Sequence, residues 1–138
     1  MKVVINERHG GFGLSYVGTM RYGELKGLTL YPEGIGWNAI YWTVPPENRI
    51  AKLSNEEFYT LSQAERIEYN CKFSKQTLHA ESIPRNDPAL VQAVEELGDK
   101  ANGCFAKLTV VEIPDDVKWQ IEEYDGLEHI AEVHRVWP

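Results

Sequence analysis

The run Gly10-Gly11-Phe12-Gly13-Leu14-Ser15 directly follows an apolar stretch, Lys2 to Asn6 (KVVIN), that reads as a strand. A glycine-rich loop in that position lets backbone N–H groups approach an anion closely, so binding chemistry is looked for here first. The loop does not complete a phosphate fingerprint. A dinucleotide motif starting at Gly11 needs glycine or alanine at position 16, which is Tyr16, and no Gly-Lys-Ser/Thr follows. A turn that needs positive φ and tight packing around Phe12 accounts for the same residues.

Catalytic constellations are harder to find. His129 and His134 stand five apart on an expected strand, which sends them to opposite faces and makes them a poor metal pair. His9 lies beside Glu7 and Arg8, a combination a small hydrolase could use, but one His-Glu proximity carries little. Cys71 and Cys104 lack CxxC spacing and any nucleophile motif, and no serine sits in a Gly-x-Ser-x-Gly elbow. The expectation is a protein that is not an enzyme, with no catalytic residues, metal or cofactor.

The elements that must position these residues follow from pattern. Trp37 to Val44 (WNAIYWTV) is aromatic and β-branched and ends at Pro45-Pro46, so it reads as a strand with Trp37, Ala39 and Tyr41 on one face and Ile40 and Trp42 on the other. The glycines between Val17 and Gly36 suggest a loop with one or two short strands. Ser54-Asn55-Glu56-Glu57 and Ser62-Gln63-Ala64-Glu65 are capping boxes that predict helices over about 55–61 and 63–79, the second with an apolar stripe of Ile67, Cys71, Ser74 and Leu78 beside Phe73. Asp87 as N-cap and Pro88 at the first position predict a helix burying Leu90, Val91, Val94, Leu97 and Ala101, closed by Gly98 or Gly103 and packed on the C-terminal hairpin.

The last third of the chain reads as three strands: Leu108 to Ile113, Val117 to Tyr124 and Leu127 to Val136, the latter two joined at Asp125-Gly126. A two-residue turn pairs Trp119 with Glu132 and Glu123 with Glu128, mixing apolar and charged residues. A three-residue loop, Tyr124 to Gly126, pairs Trp119 with Ala131 and gives a clean apolar face of Val117, Trp119, Ile121, Leu127, Ala131 and Val133. The second register is preferred, because a one-residue slip flips every side chain. It leaves Lys118, Glu122, Glu128, Glu132 and His134 facing water or a partner.

The fold class expected is α+β: an antiparallel or mixed sheet built from the N-terminal strand, the aromatic strand and the C-terminal three, with one central packed helix and a two-helix insert. At 138 residues and 43% hydrophobic, the chain reads as a single domain, 1–138, with the helical insert at about 54–80. Two cysteines are too few for a disulfide framework, and no run approaches 18 apolar residues, so a reduced, cytosolic setting away from membranes is expected. The net charge is −7, and residues 112–138 hold eight carboxylates (Glu112, Asp115, Asp116, Glu122, Glu123, Asp125, Glu128, Glu132) against Lys118 and Arg135. Such a balance argues against direct binding to nucleic acid, which needs clustered Lys and Arg.

The opening KVVIN with GGFGLS, and the close IPRNDPALVQAVEELGDKANGCFAKLTVVEIPDDVKWQIEEYDGLEHIAEVHRVW, resemble a family of small uncharacterised proteins encoded in bacteriophages and prophages. The likeness covers Met1 to Ser15 and about Ile83 to Trp137. It implies a phage accessory protein acting in the host bacterial cytoplasm and brings no established reaction. By analogy with such proteins, an anti-defence role is expected, and two binding mechanisms suit the residues. In the first, the protein sequesters a small nucleotide-type immune signal: Gly10, Gly11, Phe12, Gly13 and Ser15 supply the loop, Arg8, Arg85 and Arg135 meet phosphate, and Trp37, Tyr41 and Trp42 stack a base. In the second, Glu122, Glu128 and Glu132 form an acidic decoy for a basic, nucleic-acid-binding host protein. The aromatic strand and long insert exceed what one small core needs, which leaves room for a homo-oligomer.

Overall fold

Asp87 and Pro88 open the best-defined helix of the chain for the reasons their types suggest. The Asp87 side chain accepts a hydrogen bond from the Ala89 N–H at 2.9 Å, and Pro88 takes the first helical position, where a missing N–H costs nothing. A computed structural model describes residues 1–34, 36 and 39–133. In chain order the elements are β1 (Lys2–Asn6), α1 (Tyr16–Lys26), β2 (Tyr31–Glu33), β3 (Ile40–Trp42), α2 (Asn55–Thr60), α3 (Gln63–Gln76), β4 (Thr77–Leu78), α4 (Pro88–Leu97), β5 (Leu108–Glu112), β6 (Trp119–Tyr124) and β7 (Leu127–Glu132), with short 3-10 turns between some of them. Among the described residues all strand pairs are antiparallel, and the class is α+β. The chain divides into two compact units, Met1–Gly27 with Ala80–Pro138, and Leu28–His79.

In the first unit β1 pairs with β5 in the register Val4↔Val110. Val3, Val4 and Ile5 are all buried, a continuous apolar run that suits a strand covered on both faces, here by α4 and by β7. Helix α4 buries Ala89, Leu90, Val91, Ala93 and Val94 and ends at Gly98, with φ +56. Ala101 is buried in the 3-10 turn that follows. The helix packs on β1, β5 and α1, not on the C-terminal hairpin as expected. The three C-terminal strands do not form one sheet either: β5 joins β1, and β6–β7 stand as a hairpin.

Residues 16–26, read as loop and strand, form helix α1. Ser15 caps it by accepting from the Gly18 N–H at 3.0 Å. The interior glycines depress helix propensity and so hid the element, but they are packing positions. A Cβ on Gly18 would stand 3.0 Å from the Ala101 carbonyl oxygen, tighter than most side chains tolerate. Tyr22 and Lys26, one turn apart, both reach Asp87: the Tyr22 hydroxyl donates to it at 3.0 Å and the Lys26 ammonium pairs with it at 2.9 Å.

The hairpin register is the two-residue one, Trp119↔Glu132 and Glu123↔Glu128, which corrects the expected three-residue loop. Asp125 (φ +49) and Gly126 (φ +85) both take positive φ, as the tight primed turn requires. The register with the clean apolar face required Glu128 to face solvent, and it does not. Glu128 is only 9% exposed, and its charge is met inside the unit. Glu123 also serves the turn, accepting from the Gly126 N–H at 2.7 Å.

The second unit holds the aromatic strand in a sheet of its own, ordered β2-β3-β4, not in a sheet shared with β1. Ser54 and Ser62 cap α2 and α3 as their spacing predicts, and Ser62 with Glu65 completes a capping box. The packed stripe of α3 is Arg66, Tyr69, Phe73 and Gln76, whereas the expected stripe residues Ile67 and Cys71 are exposed. Aromatic stacking decides the rotation: Phe73 meets Trp42 edge-on at 5.4 Å and stacks on Tyr69 at 6.4 Å.

Burial alone would raise the Asp87 carboxyl, but the Lys26 ammonium, the Ala89 N–H and the Tyr22 hydroxyl outweigh it and hold the group below its usual value. Burial, then Asp87, pushes the Tyr22 phenol up to about 12. Because the folded Asp87 value lies below the unfolded 3.8, this stabilisation is present above 3.8 and is lost as pH falls through the lower folded value. Replacing Asp87 with Ala strips a cap and leaves a buried hydroxyl unmet, a loss of roughly 2–3 kcal/mol in urea unfolding, with little added by the half-exposed Lys26 arm. The wild-type protein should also lose stability below about pH 4 more steeply than Asp87→Asn does.

Candidate functional site

Strand β1 ends at Asn6, a fully buried polar residue whose every arm is used. Its side-chain amide donates to the Arg8 and Gly126 carbonyls, both at 2.7 Å, and its side-chain oxygen accepts from the Lys107 N–H at 2.9 Å. One asparagine thus gathers the β1–α1 loop, the β6–β7 turn and the segment before β5. Its own backbone N–H donates to the Glu128 carboxylate at 2.8 Å. Glu128 in turn forms a two-pronged pair with Arg85, at 2.6 and 2.9 Å. The Arg85 guanidinium lies 3.6 Å from the centre of the Phe12 ring, so the same cation fixes the glycine loop from below.

The glycines of the loop are there for close approach. Gly10 donates its N–H to the Asp125 carbonyl at 3.2 Å, and a Cβ on Gly126 would come within 2.6 Å of the Gly10 nitrogen. A Cβ on Gly10 (φ +127) would meet Phe105 Cβ at 2.8 Å. Gly103 donates to the Gly13 carbonyl at 2.9 Å, with no room for a side chain. Gly11 (φ +97) faces open space. Among the described residues, the N–H groups of Gly11, Phe12 and Gly13 donate to no protein acceptor.

Of the residues expected to bind a ligand, the structure brings Arg8, Gly10, Gly11, Phe12, Gly13 and Arg85 into this cluster. Arg85 is committed to Glu128 and positions the loop, so it is not a phosphate arm. Ser15 caps α1 and donates to the Lys100 carbonyl at 2.5 Å. Arg8 is exposed. Tyr41 and Trp42 belong to the Leu28–His79 unit. Trp42 is 1% exposed, donates to Glu33 at 2.6 Å and is covered by Arg49, so its ring is core and not a stacking platform. Trp37, Arg135 and His134 lie outside the described residues. The acidic set also changes: Glu128 is buried, and the register puts Glu122 and Glu132 on opposite faces of the hairpin.

Two residues at the cluster escaped the sequence reading. Tyr124 is 78% exposed and Phe105 is 61% exposed, one just before the β6–β7 turn and one against Gly10. Their signal was an aromatic residue placed at a turn, where a core has no use for it. His9 lies between elements here: its Nδ1 is 3.2 Å from the Asp125 carbonyl and its ring meets Tyr124 edge-on at 6.3 Å. Among the described residues, no group of three or more His, Cys, Asp or Glu could hold a metal ion, and no helix is long and apolar enough to cross a membrane.

Removing Glu128 leaves a buried guanidinium and a buried N–H unpaired. Glu128→Ala should therefore cost about 3–5 kcal/mol in urea unfolding, and a second change, Arg85→Met, should restore much of it because no orphaned charge remains.

Compared with known proteins, the chain matches no family model, no curated protein and no solved structure.

Proposed function

We propose that this protein is a phage accessory, anti-defence factor that binds and sequesters a small nucleotide-type signalling molecule in the host bacterial cytoplasm, without turning it over. The phage setting rests on the resemblance carried by the opening and closing strings of the sequence. The binding site is the loop cluster of the first unit. One observation carries the proposal: exposed aromatic rings, Tyr124 and Phe105, stand beside a glycine loop whose Gly11, Phe12 and Gly13 N–H groups have no protein acceptor among the described residues. Flat apolar surface suits a base, and backbone N–H groups with the exposed Arg8 suit a phosphate. Because Asn6 and the Arg85–Glu128 pair hold the loop in place, little ordering entropy opposes binding.

The acidic-decoy mechanism for a basic host protein fits less well, since Glu128 is buried and the remaining carboxylates do not share one face. Incubation with a mixture of nucleoside mono- and diphosphates should raise the melting temperature, by about 2.7 kcal/mol of added stability at a hundredfold excess over Kd. Arg8→Ala and Tyr124→Ala, both at exposed positions, should each lose most of that shift while melting normally without ligand. No shift with any nucleotide would contradict the proposal. Capture of a basic protein that Glu122→Gln with Glu132→Gln abolishes would favour the decoy instead.

A further inference from the structure

We infer that the base this cluster accepts is guanine, read by the Asp125 carboxylate. The inference rests on the nucleotide-binding function proposed above and narrows it to one base. Asp125 takes the first central position of the β6–β7 turn, in the left-handed conformation at φ +49. Its carbonyl is fixed from two sides, by the Gly10 N–H at 3.2 Å and by His9 Nδ1 at 3.2 Å. Its backbone is therefore held, yet its side chain is 83% exposed, with the nearer oxygen 3.9 Å from His9 Nδ1. The Tyr124 ring belongs to the residue just before Asp125 and meets the same histidine edge-on. An exposed ring and an exposed carboxylate, on adjacent residues of a turn whose backbone is held, thus both lie against His9.

The chemistry of the four bases decides what such a pair selects. Guanine presents two parallel donors on its pairing edge, N1–H and the N2 amino group, which match the two oxygens of a carboxylate in a charge-assisted, two-pronged bond. Adenine and cytosine present one amino donor beside a ring nitrogen lone pair, which a carboxylate repels. Uracil presents one N–H between two carbonyl oxygens, which repel it as well. A base stacked on Tyr124 with its edge toward Asp125 is thus accepted when it is guanine and penalised otherwise. Glu123, the other carboxylate at the turn, is spent on the Gly126 N–H.

The test is calorimetric titration of the full chain with GMP, IMP and AMP. GMP should bind at least about tenfold more tightly than AMP, with IMP, which lacks the N2 amino group, between them. Asp125→Asn keeps the turn, because asparagine tolerates the left-handed conformation, but loses the second acceptor and the charge. In that variant the affinity for GMP should fall to that for AMP, with the melting temperature of the free protein unchanged. Equal binding of GMP and AMP to the wild-type protein would overturn the guanine assignment and leave nucleotide binding standing. A GMP preference that survives in Asp125→Asn would overturn the role of the carboxylate. If none of the three nucleotides binds, both the inference and the function beneath it fail.

Discussion

The buried pair between Arg85 and Glu128 is the contact on which the first unit depends. Neither charge is well solvated, with side chains 16% and 8% exposed, so each is tolerable only because the other is in place. Glu128 uses its remaining capacity on the Asn6 N–H, and Arg85 spends its flat face on Phe12. The pair therefore joins β7 to the end of β1, to the chain entering α4 and to the glycine loop. It also sets the hairpin register. Slipping β7 by one residue would carry Glu128 to the other face and leave the Arg85 charge without a carboxylate.

That constraint explains what the sequence did and did not disclose. Strand β1, the helix opened by Asp87 and Pro88, and the caps at Ser54 and Ser62 were legible, because each rests on a local preference that tertiary packing only reinforces. The hairpin was legible in place but not in register. Hydrophobic patterning treats a glutamate as outward-facing, and no local signal told Glu128 apart from Glu122. Helix α1 was missed because Gly18 and Gly23 weaken helix propensity, although both are buried and Gly18 is where the helix meets Ala101 closely. The stripe of α3 was misread because aromatic contacts with Trp42 outweigh the aliphatic spacing of Ile67 and Cys71.

The candidate site was half legible for the same reason. The glycine loop announced itself, but its glycines serve backbone contact with Asp125, Gly126, Gly103 and Phe105, which involves partners about a hundred residues away. Of the arginines expected to meet phosphate, Arg85 is a structural cation, and of the rings expected to stack, Trp42 is core. The exposed rings at the cluster are Tyr124 and Phe105. The charge excess in the last third of the chain misled as well, because counting carboxylates ignores which are neutralised and which share a face.

Whether the loop cluster, held by Asn6 and the Arg85–Glu128 pair, retains a small nucleotide is read most directly by native mass spectrometry, on protein incubated with the small-molecule extract of phage-infected bacteria and weighed before and after denaturation. An added mass of nucleotide size is expected on the folded protein, lost on unfolding and missing with Tyr124→Ala. A folded protein that carries no added mass in that extract would contradict nucleotide retention.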